Sequence, residues 1–197
     1  MNRLLLASRN KDKLKEIQQV LTPYDIELKS ALDYEHLEEV EEDQDSFEGN
    51  ALKKARYVHQ ETGEPALADD TGLEVDALDG APGIYSARYA GEQATYQDNV
   101  DKLLATLDGI ETDKRTARFR TVLALITGSQ EVLLNGVCKG TIISTPRGKG
   151  GFGYDPVFVP EGYEKTFAEL NSREKNKISH RGKALEKFRN FLENIRD

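Results

Sequence analysis

Two adjacent carboxylates, Asp69 and Asp70, follow a short apolar run and precede Thr71-Gly72. Carboxylates that end a strand beside a glycine turn are often used to hold a metal ion or a reacting water. For an arbitrary Asp-Asp pair, however, capping a turn is the commoner role. The choice between these interpretations depends on the other chemically active residues of the chain.

Basic residues stand at the predicted start of two helices. Lys11 ends a polar turn at 8–11 that follows a first strand, and Lys13 lies in the first turn of the helix after it. This layout presents backbone N–H groups to an anion such as phosphate. His180 and Arg181 open the last predicted helix, where the helix dipole favours anions over cations. Each lysine by itself is more simply a solvated helix residue, but the whole arrangement indicates that an anion binds.

A glycine-rich loop at 145–156 carries Phe152, Tyr154 and Asp155. Glycines allow the backbone to approach a ligand closely, and either aromatic ring suits stacking on a flat base. An acidic stretch at 38–48 offers carboxylates to a divalent cation, although acidic runs are usually solvated loops. These loops together predict a nucleoside triphosphate bound with Mg²⁺, which proteins hold through one or two carboxylates and phosphate oxygens.

Three other motif interpretations are excluded. Asp70-Thr71-Gly72 matches the aspartic-protease triplet, but that chemistry needs a second copy, which the chain lacks. The segment 147–153 resembles a P-loop in composition but has no Gly-Lys-Ser/Thr ending before a helix. Haloacid-dehalogenase-type phosphatases use two aspartates separated by one residue, whereas adjacent residues on a strand point to opposite sides.

The composition indicates a globular chain. Of its 197 residues 38% are hydrophobic and 31% charged, and a single domain spanning 1–197 is expected. No apolar run approaches the roughly 18 residues that cross a bilayer, and the first apolar run is too short for a secretory signal. The only cysteine, Cys138, excludes a disulfide framework and suits a reducing cytoplasm. A net charge of −8 argues against general nucleic-acid binding but permits a nucleotide in a local basic pocket.

Hydrophobic periodicity predicts alternating strands and helices. Strands are expected at 3–7, 26–30, 73–76, 116–127, 131–144 and 157–159, with a turn at Thr71-Gly72 and another at Gly128-Ser129. Helices are expected over 12–21, after the acidic stretch as far as Gly63, over 95–107, and after Ser179, the last with Ile195 on its apolar face.

Five segments resemble the inosine triphosphate pyrophosphatase family, in that family's order. They are Ser-Arg-Asn-Lys-Asp-Lys at 8–13, Phe-Glu-Gly-Asn-Ala-Leu-Lys-Lys-Ala at 47–55, the stretch 68–91, Gly-Phe-Gly-Tyr-Asp-Pro-Val-Phe at 151–158, and Ser-His-Arg-Gly-Lys-Ala-Leu at 179–185. A single segment is weak evidence, but all five together are specific. The resemblance implies an α/β fold with a long mixed sheet flanked by helices, two lobes with an active-site cleft between them, and a homodimer.

The resemblance also implies a reaction and its residues. Mg²⁺-dependent attack of water at the α-phosphorus would convert ITP, XTP or their deoxy forms to the monophosphate and pyrophosphate. The implied metal ligands are Glu41 and Asp70, and Asp70 would also accept a proton from the attacking water. The implied substrate-binding residues are Ser8, Arg9, Asn10, Lys11, Asp12 and Lys13 for the triphosphate, Thr71, and Phe152, Gly153, Tyr154, Asp155, Lys175, His180 and Arg181 for the base and phosphates.

The chain departs from the family pattern in three places. The acidic stretch runs Glu-Glu-Asp-Gln-Asp from Glu41, where the family has Glu-Thr-Gly or similar, so Glu42 is an alternative to Glu41. Gly49 replaces a usual glutamate, and Thr71 replaces a usual serine while keeping its hydroxyl.

Selectivity for inosine and xanthosine requires a hydrogen-bond donor to their 6-oxo group, because adenine carries an amine there. Lys175, His180 and backbone N–H groups near Phe152 are the candidate donors. Guanine shares the 6-oxo group, and the sequence does not resolve how it is excluded. A nucleotide-binding module without turnover and a pyrophosphatase for another nucleotide, such as a modified pyrimidine, are the alternative functions.

Overall fold

The structure is a computed structural model that describes residues 2–128 and 130–194. Two predicted positions, Ser129 in the turn and Ile195 in the last helix, lie outside these residues, as does the side chain of Asp12. The described residues form six strands, β1 (Arg3–Leu6), β2 (Glu27–Ser30), β3 (Ala66–Val75), β4 (Thr116–Thr127), β5 (Gln130–Ile142) and β6 (Phe158–Pro160). They also form five α-helices, α1 (Lys11–Leu21), α2 (Phe47–Thr62), α3 (Tyr96–Thr106), α4 (Ser172–Ile178) and α5 (His180–Asn194).

The strands form one mixed sheet in the order β2-β1-β3-β4-β5-β6. β1 is parallel to both β2 and β3, whereas β5 and β6 are antiparallel. The parallel connections each contain a helix, α1 between β1 and β2 and α2 between β2 and β3, because parallel neighbours need a long crossover. The predicted α/β fold with a mixed sheet flanked by helices is confirmed.

The backbone divides into two compact units. The first comprises Met1–Asp70, Thr121–Asn135 and Ala184–Asp197, and the second comprises Thr71–Arg120 and Gly136–Lys183. The first unit has an apolar core that includes Leu4, Ile17, Leu67, Leu125 and Phe188. The second has its own core, which includes Leu73, Leu103, Phe119, Phe158 and Phe167. These units correspond to the two lobes expected from the sequence, while the single-domain assignment stays a prediction.

The central strand β3 differs from its prediction. The turn expected at Thr71-Gly72 is wrong, because β3 continues unbroken for ten residues from Ala66 to Val75. Gly72 is buried within it, and the apolar residues on both sides are buried as well, so burial of the whole strand outweighs the turn preference of Thr-Gly. Asp69 and Asp70 therefore lie in mid-strand, where successive side chains point to opposite faces.

Side-chain caps set the starts of the helices. Asn10 accepts the backbone N–H of Lys13 at α1 (3.3 Å), and Ser46 accepts that of Gly49 at α2 (3.2 Å). Ser179 caps α5 as predicted, with its hydroxyl accepting the N–H of Gly182 over 3.0 Å. The short helix α4 was not predicted. No helix in the described part of the chain combines the length and apolarity needed to cross a bilayer.

Candidate active site

The first unit contains a set of ionic side chains that we call the carboxylate cluster. It is built by α1, the acidic loop, α2 and β3, which contribute Lys13, Glu42, Asn50, Lys54, Asp69 and Asp70. Burial of several charges in one place requires that they be paired and hydrogen-bonded, since an isolated buried charge is very costly. The contacts below meet that requirement.

Asp69 is almost fully buried on β3 and pairs with the first turn of α1. Lys13 Nζ lies 2.9 Å from Asp69 Oδ2. Lys54 Nζ donates to the backbone carbonyl of Asp69 over 2.6 Å. The side chain and the main chain of Asp69 thus bind two different lysines, which fixes this part of β3 between α1 and α2.

Asp70 is buried and faces α2. Asn50 Nδ2 donates to Asp70 Oδ2 over 3.1 Å, and Lys54 Nζ lies 3.9 Å from Asp70 Oδ1. Burial raises the pKa of Asp70 above its ordinary value, and the carboxylate of Glu42 adds to the rise, although Lys54, Asn50 and Lys13 oppose it. Asp70 is therefore a stronger base, when ionised, than an exposed aspartate.

Lys54 links the members of the cluster. Its ammonium lies 2.5 Å from Glu42 Oε1 and also reaches Asp70 and the carbonyl of Asp69. Burial by itself would lower the pKa of Lys54, but the three carboxylates together raise it above the ordinary value. Lys54 thus stays protonated. Lys54 is buried, because α2 turns this residue inward.

The structure separates the two candidates in the acidic loop. The Glu42 side chain reaches into the carboxylate cluster through Lys54. The Glu41 side chain is exposed, and only its backbone carbonyl is bound in that region, by Lys53 (2.9 Å). Of the two side chains, Glu42 is therefore the one that lies near Asp70, because both carboxylates lie beside the ammonium group of Lys54.

Gly49 explains the shape of this loop. A Cβ atom placed on Gly49 would lie 2.8 Å from Gln44 Cβ and 3.1 Å from Ser46 Oγ. The side chain of Gln44 therefore occupies the space beside position 49, and the loop approaches α2 more closely than any larger residue would allow.

The predicted phosphate loop at 8–13 is ordered by its own side chains. Asn10 accepts a hydrogen bond at the start of α1, and its own N–H donates to Ser8 Oγ over 3.2 Å. Arg9 Nη2 donates to the carbonyl of Leu37 over 2.6 Å, whereas Lys11 is exposed. Of this loop, Lys13 is the residue that the structure brings to the carboxylate cluster.

The donor set fits a hard divalent cation. No group of three or more Asp, Glu, His and Cys side chains within 2–128 and 130–194 is arranged to hold a metal by itself. Mg²⁺ commonly needs only one or two carboxylates, with water and phosphate oxygens completing its shell. The cluster supplies three carboxylates against two lysines, which leaves one negative charge in excess. Glu42 and Asp70 are the residues suited to such an ion.

The second unit contains a different set of side chains, which we call the aromatic cluster. Its members are Phe119, Phe152, Asp155, Phe167, Lys175, His180 and Arg181. Lys175 Nζ lies 2.6 Å from Asp155 Oδ2, and the same oxygen accepts the N–H of Phe152 over 2.9 Å. Lys175 also lies over the ring of Phe152, 5.0 Å from its centroid. One buried carboxylate thus fixes both the loop and the lysine.

His180 and Arg181 are held by stacking. The His180 ring lies parallel to Phe119, with centroids 4.6 Å apart and planes at 15°. Arg181 lies over the Phe152 ring at 5.5 Å and donates through Nη2 to Thr71 Oγ1 at 3.4 Å. Both side chains are buried at the start of α5, where the sequence already indicated an anion.

The two aromatic rings of the glycine-rich loop lie in different surroundings. Tyr154 is buried in the core of the second unit and donates from its hydroxyl to the carbonyl of Ser86 over 2.9 Å. Phe152 is only half-buried, so the stacking role expected of either ring falls to Phe152. Gly151 must be glycine, because its φ is +71° and an added Cβ would lie 2.0 Å from Asp155 Oδ2.

Sequence reasoning missed Asn50 and Lys54 as site residues. They lie one helical turn apart on α2, so both side chains leave the helix on the same face. That spacing was the available signal, but a polar residue on a predicted helix is normally placed in solvent. The contacts of the other predicted residues are those given above, and their roles as ligands stay predictions.

These elements describe an α/β protein in which Lys13, Lys54 and Glu42 gather about the two aspartates of its central strand. The chain belongs to the Ham1 family, whose model matches residues 4–191. The family resemblance inferred from the five sequence segments is thereby confirmed.

Individual relatives match over nearly the whole chain. It is 48% identical over 193 residues to a protein of Caldanaerobacter subterraneus named dITP/XTP pyrophosphatase, covering 98% of this chain and 96% of the relative. A protein of the same name from Thermoanaerobacter pseudethanolicus is 47% identical over 190 residues, with 96% of each chain covered. A solved HAM1 protein from Coxiella burnetii superposes with a TM-score of 0.92 at 41% identity, covering 98% of this chain and 100% of that one.

Proposed function

We propose that this protein hydrolyses the non-standard purine nucleoside triphosphates ITP, dITP, XTP and dXTP to the monophosphate and pyrophosphate. The observation that carries the proposal is the buried carboxylate cluster, in which Asp70 combines a raised pKa with adjacent ammonium groups. The names of relatives at 47–48% identity give the substrate class. Removal of these nucleotides from the cellular pool is the biological role that follows.

The chemistry of the carboxylate cluster suits phosphoryl transfer. The oxygen of a water attacks the α-phosphorus, the bond from that phosphorus to the bridging oxygen breaks, and pyrophosphate leaves. Asp70 accepts the proton of the attacking water, a role for which its raised pKa is favourable. Lys13 and the N–H groups at the start of α1 neutralise phosphate charge.

Glu42 and Asp70 are the residues we assign to Mg²⁺, in place of the pair Glu41 and Asp70 that the family resemblance implies. The support is the position of Glu42 beside Lys54 and the exposure of Glu41. A bound Mg²⁺ would supply positive charge to the phosphate oxygens. Because Lys54 is already close to both carboxylates, it keeps them near one another before the ion arrives.

The aromatic cluster is suited to the base. Phe152 offers a half-buried ring for stacking, and Lys175 and His180 offer donors to a 6-oxo group. Asp155 orients Lys175, so the position of this donor is fixed in advance. If Lys175 is that donor, Lys175→Ala should lower the preference for ITP over ATP by about 10-fold or more, measured as the ratio of kcat/KM values. An unchanged ratio would assign the donor elsewhere.

The oligomeric state and the cellular location are proposed on the basis of the sequence. We expect a homodimer in the cytoplasm, with the nucleoside triphosphate as its small-molecule partner and with neither a nucleic-acid polymer nor a membrane as a partner. Sedimentation of the purified chain tests the dimer.

The proposed reaction is tested first by incubating the purified protein with Mg²⁺ and, in separate samples, ITP, XTP, GTP, ATP and dTTP. The pyrophosphate and the orthophosphate released are then measured. Pyrophosphate from ITP and XTP alone is the expected result. Orthophosphate would indicate attack at the terminal phosphate and contradict the mechanism. Turnover of dTTP would favour a pyrimidine substrate, and binding without any product would favour a nucleotide-binding module.

A further inference from the structure

Asn50 is fully buried on α2, and two hydrogen bonds fix its amide. The backbone N–H of Gln44 donates to Asn50 Oδ1 over 3.0 Å. Asn50 Nδ2 donates to Asp70 Oδ2 over 3.1 Å. A backbone N–H can only donate, so it requires the amide oxygen on its side and turns the NH₂ group toward Asp70.

We propose that Asn50 is a positioning residue for the hydrolysis described above: its amide, oriented by the Gln44 N–H, holds the Asp70 carboxylate in one orientation. The inference rests on the proposed function, because Asn50 acts only through Asp70. It assigns Asn50 no contact with the substrate.

Two anchored oxygens define the plane of the Asp70 carboxylate. Oδ2 accepts from Asn50, and Oδ1 is turned toward Lys54 at 3.9 Å. Asn50 and Lys54 are four residues apart on α2, so one rigid helical turn sets both contacts. A reacting group gains most from being held in place before the substrate binds.

The acidic loop completes the arrangement. Gln44 comes within reach of Asn50 because Gly49 leaves room for its side chain, the distance to an added Cβ being only 2.8 Å. The same loop carries Glu42 to Lys54. The loop that supplies a carboxylate therefore also supplies the N–H that orients Asn50.

The test replaces Asn50 by aspartate, which has the same shape. Asn50→Asp keeps an acceptor for the Gln44 N–H but removes the donor to Asp70. We expect kcat for ITP to fall about 10- to 100-fold, the usual effect of losing a group that orients an active-site residue. KM for ITP should stay nearly constant, because Asn50 does not contact the nucleotide.

A second readout needs no turnover. In EDTA, Asn50→Asp should lower the melting temperature by about 5–10 °C, since two buried carboxylates then face each other. Adding Asp70→Asn should raise the melting temperature of Asn50→Asp by more than it raises that of the wild type, because the amide introduced at position 70 donates to the carboxylate introduced at position 50. The excess over the gain in the wild type is specific to the orientation proposed for the Asn50 amide.

Asn99 provides a matched control in the second unit. It is also buried, its Oδ1 accepts the N–H of Ala90 (2.7 Å), and its Nδ2 donates to the carbonyl of Ala87 (3.0 Å). Asn99→Asp should lower the melting temperature without changing kcat, and adding Asp70→Asn should raise its melting temperature only by the amount seen in the wild type.

The outcomes distinguish failure of the positioning role of Asn50 from failure of the proposed hydrolysis. If Asn50→Asp keeps the wild-type kcat, or if Asp70→Asn raises its melting temperature no more than that of the wild type, the positioning role is wrong. If the wild-type protein releases no pyrophosphate from ITP, the proposed function fails instead. The melting temperatures in EDTA then still decide how the Asn50 amide is oriented.

Discussion

The carboxylate cluster and the aromatic cluster handle charge in opposite ways. In the first, three carboxylates surround two lysines, and the excess negative charge suits a cation. In the second, one carboxylate, Asp155, pairs with Lys175 beneath aromatic rings, and Arg181 adds a positive charge that suits an anion. The contrast separates two tasks, because bond breaking needs strong local fields whereas recognition of a base needs a flat surface and a few fixed donors.

Asp70→Asn, in the carboxylate cluster, is the variant for which we expect the largest effect. The variant keeps the shape of the side chain but cannot accept a proton, so pyrophosphate release from ITP should fall about 10²- to 10⁴-fold. Because burial raises the pKa of Asp70, the ionised carboxylate destabilises the folded chain, and the melting temperature in EDTA should rise. A fall in both activity and melting temperature would mean that Asp70 stabilises the fold.

Lys54→Met tests whether the charges of the carboxylate cluster depend on one another. Its removal leaves Glu42 and Asp70 without their shared buried cation, so the free energy of unfolding should fall by about 3–5 kcal/mol. Lys53→Met is the matched control, since Lys53 is the next residue and pairs with Asp43 near the surface; there the loss should be below about 1 kcal/mol. Urea denaturation of both variants gives the comparison, and equal losses would contradict it.

Phe152→Leu is expected to affect binding rather than the chemical step. Loss of a stacking ring costs about 1–3 kcal/mol per base, so KM for ITP should rise about 5- to 100-fold with kcat nearly unchanged. Tyr163→Leu removes an exposed ring outside the cluster and should leave KM unchanged. A main effect on kcat would place Phe152 nearer to the reacting phosphate than we propose.

The smallest effect is expected at Cys138, whose reactivity reports on opening of the second unit. Burial raises the pKa of its thiol to about 11. A thiol whose folded pKa is raised stabilises the fold below its unfolded value of 9.0, and this contribution is lost as the pH rises toward 11. Alkylation of the native protein at pH 8 should therefore be much slower than alkylation of the unfolded chain, as mass spectrometry can measure. Equal rates would show that the second unit opens readily.

The sequence predicted much of the fold, because long amphipathic patterns are robust. The helix predicted over 95–107 lies within one residue of the observed bounds of α3, Tyr96–Thr106. The prediction failed where a short-range preference competed with burial. Thr71-Gly72 favours a turn, but the dipeptide lies within the ten-residue buried strand β3.

The candidate site was predicted less completely. Apolar patterns carry no information on polar residues that a helix turns inward, so Asn50 and Lys54 were missed. Glu41 and Glu42 are adjacent in an irregular loop, and no periodicity distinguishes their directions. Only the contacts of Lys54 made that distinction.

The close approach at Gly49 restricts the order in which this loop is able to evolve. A side chain at position 49 collides with Gln44, whose Cβ would be 2.8 Å away, while position 44 is occupied by anything larger than glycine. A larger residue at position 49 is therefore compatible with the present loop only after position 44 has become glycine. Made in the opposite order, the same two substitutions pass through a chain whose acidic loop has to shift.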